Sequence, residues 1–369
     1  MDKERSKKYR RWSIAAVIVT VAVIAVPALY IAVIDPFFHF HKPLESLEYP
    51  LDSEWYQNDG IVRHFDYDAM LTGTSMAENF RTSQIDELFG VSSVKTAYNG
   101  SSFLQTNALI KQAVRCQPEL KRVFRSLDFN RLIADDVYAI RSDIDLPEYL
   151  YNNNPFDDVK YLVNKDVLFN KAYHVIKFTK SGQTTTSFDD YYNWNDEYTY
   201  SREAVLEDSP RKDRSETLQS VSDEDFVRIA ENMEKNVISV ARENPGMEFY
   251  YFVPPYSIYY FDSLNQEGSL EKSLELHEYA LSLMLDVPNI RLFSFMDMYS
   301  VIDDLNNYKD MYHYGEWVNA EMLEYMKNEE HMLTAENYEK YCEDVRDHYL
   351  NYDYDGDFGS PADIETDTQ

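Results

Sequence analysis

"LTGTSMAENF", residues 71–80, carries the reading of this chain. Ala69, Met70 and Leu71 make a short apolar lead-in to Gly73 and Ser75. "AENFRTSQIDELFG" follows with helical character and closes on Gly90. A strand, a tight glycine turn, a serine and a helix can hold a hydroxyl where it serves as a nucleophile. An ordinary strand-to-helix junction whose serine caps the helix reads the same way. The two readings separate on whether a base for Ser75 stands elsewhere.

Outward from this stretch a strand–helix rhythm appears. "SVKTAYN" reads as a second strand, followed by Gly100 and the helix "SFLQTNALIKQAVR"; "KRVFRSLD" is a third strand. "MEFYYFVPP" (247–255) and "NIRLFSFM" (289–296) are two more, separated by "SLEKSLELHEYALSLML" with apolar residues at helical spacing. Strands alternating with helices predict an α/β fold, a parallel sheet covered on both faces. The rhythm breaks over about 134–221, rich in Tyr, Asn and Asp, which reads as an insertion before the helix "DEDFVRIAENMEKNVISVARENP". Tyr191, Tyr192 and Trp194 in that insertion suit stacking against sugars, since aromatic rings offer flat apolar faces with polar handles. Residues 35–66 read as an extended juxtamembrane segment, and 351–369 as an acidic disordered tail. Asp353, Asp355 and Asp357 alternate there, but without the glycine and glutamate positions of a calcium loop.

The N-terminus is a different kind of sequence. From Ser13 to Ile34, 22 residues pass without a charge, about 33 Å of helix at 1.5 Å per residue. Residues 1–12 carry six basic and two acidic side chains, and Asp35 and Phe37, Phe38 and Phe40 come after the apolar run. The positive-inside rule then predicts a cytoplasmic segment 1–12, a membrane anchor 13–34 and a main domain outside. Removing the +4 of residues 1–12 from the total of −30 leaves −34 for the remainder. So acidic a domain has no basic footprint for nucleic acid. Cys116 and Cys342 lie far apart, and neither has the paired spacing of a structural zinc site.

Among the eight histidines, His277 lacks the second histidine of a zincin helix, and no glycine-rich phosphate loop exists. "NNYKDMYHYGEW" differs, placing Asp310 three residues before His313, after the last predicted strand. At that spacing a carboxylate can hold one ring nitrogen while the other takes a proton from a serine. In a parallel sheet the end of the first strand and the segment after the last meet at one edge, so Ser75 and His313 can approach. The α/β-hydrolase elbow needs glycine where Ala77 stands.

Gly73-Thr74-Ser75 and Asp310-Met311-Tyr312-His313 resemble the first and last blocks of the SGNH (GDSL-type) hydrolase superfamily. More closely, the chain is similar to membrane-anchored SGNH-like proteins of bacterial surface-polymer loci, relatives of alginate O-acetylation and teichoic-acid D-alanyl-transfer proteins. The likeness covers roughly residues 60–330 apart from the insertion. It implies a three-layer α/β/α fold over 67–350, with Ser75 as nucleophile, His313 as base and Asp310 as its orienter. It also implies an oxyanion donor at Asn99-Gly100. The third block is not intact, since "RSLDFN" offers only Asp128 and Asn130, out of register. The implied activity is O-acyl transfer or ester hydrolysis on a cell-surface glycan or wall polymer, without metal or cofactor, beside a multi-pass membrane O-acyltransferase. A non-catalytic binding module of a polymer-assembly complex is the alternative.

Overall fold

The computed structural model describes residues 2–134 and 147–359. It divides into two compact units. One joins residues up to 65 with 147–187, and the other joins 66–134 with 188–359.

The first unit is led by helix α1 (Asp2–Ile34), long and apolar enough to cross a membrane. Its last carbonyls are taken up by groups just beyond its end. The Asp35 amide donates to Ile31 O at 2.7 Å, His41 Nε2 to Ala32 O at 3.1 Å, and the Tyr49 hydroxyl to Ile34 O at 2.8 Å. These bonds satisfy orphan acceptors that every helix end leaves. Ile31, Phe37, Leu150, Tyr161 and Val167 form this unit's apolar cluster. Residues 35–66 are not wholly extended: helix α2 (Glu54–His64) occupies their second half, its Gln57, Ile61 and Val62 buried.

The second unit contains a six-stranded sheet in the order β2-β1-β3-β4-β5-β6. β1 (Ala69–Thr72), β2 (Ser93–Lys95), β3 (Arg122–Ser126), β4 (Glu248–Val253) and β5 (Ile290–Ser294) run parallel. A two-residue edge strand, β6 (Met332–Leu333), pairs antiparallel with β5. All four residues of β1 are buried, as a strand covered on both faces requires. Helices α3 (Thr82–Phe89) and α4 (Phe103–Cys116) make the first two crossovers. The order reverses direction at β1, so the crevice between the C-terminal ends of β1 and β3 is where such sheets bind ligands.

Three sequence-based expectations need correction here. The excursion over 134–221 is not one insertion. Its described residues 147–187 cluster with the N-terminal region and only 188–221 belong with the sheet, while 135–146 lie outside the described residues. The tail is ordered as far as Gly359. Tyr354–Phe358 is a short helix with Tyr354 and Phe358 buried, while Arg211 and Arg202 pair with Asp355 and Asp357 at 3.0 and 2.9 Å. Residues 360–369 lie outside the described residues. Finally, "AENFRTSQIDELFG" is helical only over α3 (Thr82–Phe89), which closes on Gly90 as expected, while its Ala77 ends a 3-10 turn begun at Ser75. Cys116 and Cys342 are both free thiols.

Gly73 stands at φ +153°, and a Cβ there would lie 2.7 Å from the Ser126 Cβ on the neighbouring strand. Backbone strain and overpacking then act together. Gly73→Ala should destabilise the protein by about 2–5 kcal/mol, read as a lowered urea midpoint. An unchanged midpoint would show that the turn has room to shift.

Candidate active site

Ser75 is the first residue of the 3-10 turn that leaves β1, yet it does not cap that turn. Thr74 does, its Oγ1 accepting from the Met76 amide at 3.2 Å. This frees the Ser75 hydroxyl, whose Oγ lies 2.8 Å from His313 Nε2. His313 Nδ1 lies 2.9 and 2.8 Å from the two Asp310 carboxylate oxygens. Since a carboxylate can only accept, Nδ1 carries the proton and Nε2 is left to accept from Ser75.

The loop carrying Asp310 and His313 is locally determined. Asp310 Oδ1 accepts the amides of Tyr312 and His313, each at 2.8 Å, the turn that aspartate favours two and three residues ahead of itself. An antiparallel bridge between Tyr308 and Tyr314 closes the loop's base. Ser257 steadies its middle, donating from its amide and hydroxyl to Met311 O at 3.3 and 2.8 Å. Burial opposes ionisation of Asp310, but its hydrogen bonds to His313 and the nearby charge of Lys309 prevail. Its carboxyl is held well below the usual range. Lys309 Nζ lies 3.3 Å from Asp310 Oδ2 and over the rings of Tyr198 and Trp194, 3.8 and 4.8 Å from their centroids.

Trp194 is the excursion's contribution. Its ring meets that of His313 at right angles with centroids 5.3 Å apart. Its indole N–H donates to Glu78 Oε2 at 2.8 Å, and its amide to Asn79 Oδ1 at 3.0 Å. Beneath this contact lies Lys95, buried on β2, whose ammonium donates to Glu78 O, to Phe80 O at 3.1 Å and to Asp189 O at 3.3 Å. Burial pushes that ammonium down to about 7, only partly offset by Glu78 and Asp189. One lysine thus ties the segment after Ser75 to the start of the 188–221 stretch that belongs with the sheet. Tyr191 is buried, and its ring meets that of Tyr192 edge-on at 5.3 Å.

Asp128 turns toward the nucleophile's support. It accepts from Thr74 Oγ1 at 2.5 Å and from Ser126 Oγ at 2.8 Å. Burial raises its carboxyl, against the opposing pull of those hydroxyls. Asn130 Oδ1 accepts from the Tyr256 hydroxyl at 3.4 Å. The Asn99-Gly100 turn is sewn to the nucleophile turn through its neighbours. The Tyr98 amide and the Ser101 hydroxyl donate to Gly73 O at 3.0 and 3.2 Å. Gly100 has φ +67° and accepts from Arg131 at 3.1 Å.

Sequence reading missed Lys95, Glu78, Asn79 and Lys309. None of these stands out in the sequence; Lys95 follows Ser93 and Val94 in a short strand of mixed polarity. Among the described residues no group of three or more His, Cys, Asp or Glu could hold a metal ion.

No protein-family model matches the chain, and no curated protein does. Among solved structures it is similar to "a putative platelet activating factor from Streptococcus pneumonia", at 11% identity and a TM-score of 0.38, covering 75% of this chain and 90% of that one. An overlap this loose assigns neither activity nor substrate to this chain.

Proposed function

We propose that this chain is an SGNH-like acyl-ester enzyme, anchored in the membrane by α1 with its main domain extracytoplasmic. The observation that carries the catalytic reading is the relay Ser75–His313–Asp310, with spacings of 2.8 Å and 2.8–2.9 Å. Ser75 Oγ attacks the ester carbonyl carbon as its proton passes to His313 Nε2. The resulting imidazolium is steadied by Asp310 and gives that proton to the departing alcohol oxygen, leaving an acyl-serine. Water or a polymer hydroxyl then attacks the acyl carbon, losing its proton to the same nitrogen, and the acyl–Ser75 bond breaks as His313 returns that proton to Ser75 Oγ. The developing oxyanion is assigned to the backbone amides of Ser75 and Gly100, each such donor being worth about 10²–10³ in rate.

The substrate reading is an O-acylated cell-surface glycan or wall polymer, on which a multi-pass membrane O-acyltransferase would also act. Tyr198 and Trp194 beside the relay favour a sugar, and the −34 charge outside residues 1–12 disfavours a strongly anionic acceptor.

A fluorophosphonate should label the full-length protein, and Ser75→Ala should lose the label with its thermal midpoint unchanged. Folded wild type that refuses the probe would leave the binding-module reading in its place.

A further inference from the structure

Within the N-terminal unit, one face of the last part of α1 is covered by protein, while Leu29 and Val33 stay exposed. Ile31 and Ile34 are buried, and Pro27, Ala28 and Tyr30 are partly covered. Val23, Ile24 and Pro27 form one wall of a groove whose other wall is Leu162, Val163 and Leu168. The fully exposed part of the uncharged run, Ser13–Val26, is 14 residues, or about 21 Å, against a hydrocarbon core of about 30 Å. On its covered face the helix alone is therefore short by about a third.

The segment that covers it has the composition to make up the difference. Residues 156–180 hold a short helix (Val159–Leu162), a π-turn (Val167–Ala172) and the helix Tyr173–Lys180. Phe156, Val159, Val163, Phe169 and Tyr173 are more than half exposed, Phe156 to 87%. Five lysines and three aspartates lie between 156 and 180, a local +2 in a chain of net −30. Apolar and aromatic side chains among lysines mark segments that lie in a bilayer interface.

We propose that residues 156–180 are a membrane foot, seated beside α1 in the leaflet from which α1 emerges. Phe156, Val163, Phe169 and Tyr173 enter the acyl–headgroup boundary, and Lys160, Lys165, Lys177 and Lys180 meet anionic headgroups. The inference rests on the anchor part of the proposed function, not on the catalytic part. Its occupant is lipid because the covered stretch of α1 belongs to the same apolar run, and because the lysines invert the charge of the rest of the chain.

The test uses the full-length chain with Cys116→Ser. Cys342 is buried, its thiol pushed up to about 12, and stays unlabelled. Single cysteines at Val19, Val163, Phe169 and, as an aqueous reference, Val227 carry an NBD fluorophore in phosphatidylcholine–phosphatidylglycerol vesicles with doxyl lipids. The expected result is quenching at 19, 163 and 169 and none at 227. Lys160, Lys165, Lys177 and Lys180→Gln together should at least halve quenching at 169 while leaving 19 unchanged. Quenching at 19 without quenching at 163 and 169 would overturn the foot and leave the anchor standing. Fluorescence at 163 and 169 that shifts with protein density, not with doxyl lipid, would give the surface to a second copy instead. No quenching at 19 would overturn the anchor itself, and the foot with it.

Discussion

Asp310→Asn should lower turnover of an aryl acetate by about 10⁴-fold with the fold intact. The reason is tautomeric. Asp310 accepts from His313 Nδ1 and so keeps Nε2 unprotonated, able to receive the Ser75 proton across 2.8 Å. An asparagine would retain one oxygen for the Tyr312 and His313 amides, so the loop should keep its shape. Its amide nitrogen, however, would face His313 and donate, moving the imidazole proton to Nε2. Ser75 would then meet a donor where it needs an acceptor. A second effect arises from the depressed carboxyl of Asp310. A carboxylate bound more tightly to its partners in the folded state stabilises the protein above its ordinary pKa, and that stability is lost as pH falls through the folded value. The variant's urea midpoint should therefore decline less steeply than wild type's in acid. Turnover within tenfold of wild type would remove Asp310 from the relay.

The other large effect is expected far from the relay, at His277. This side chain is buried, its ring stacked on Phe129 with centroids 4.7 Å apart. Nε2 has no hydrogen-bond partner. Burial pushes the imidazole down to about 3, whereas an unfolded histidine titrates near 6.5. Between those values the unfolded chain binds a proton that the folded one refuses, so stability falls as pH falls. The slope is about 1.4 kcal/mol per pH unit, several kcal/mol across the window. His277→Phe preserves the stacking and removes the titration. The gap in unfolding free energy between variant and wild type should widen in the variant's favour from pH 6.5 toward pH 4, by tryptophan fluorescence in urea. Parallel curves would show that His277 is protonated without cost in the folded state.

What the sequence made legible was local. Gly73-Thr74-Ser75 and Asp310-x-x-His313 were readable because a turn residue and a three-residue spacing each express their geometry within a few positions. The structure brings their side chains to hydrogen-bond distance. The five parallel strands were readable because short stretches rich in β-branched and aromatic residues alternate with stretches of helical spacing. β6 was not, since two residues at an edge leave no pattern. The Lys95 tie to Glu78, Phe80 and Asp189 joins three distant stretches through main-chain oxygens, which carry no side-chain signature. Acidic composition misled at the tail: Asp355 and Asp357 resemble a solvated run until Arg202, Arg211 and Arg214 are placed against them. Composition misled again in the excursion, where a shared richness in Tyr and Asn concealed a division between two units.

The contact between Ser75 and His313 spans 238 residues, from the first crossover of the sheet to the loop beyond its fifth strand. Chain entropy makes such a closure late and slow, because intervening segments must be in place before it is rewarded. As the chain is synthesised, every product that ends short of His313 carries the serine without its base. If the proposed relay is catalytic, an unfinished or prematurely terminated chain should be silent toward esters, however well its early strands have paired. Activity under that reading would report completed assembly, and its recovery during refolding should trail the return of secondary structure.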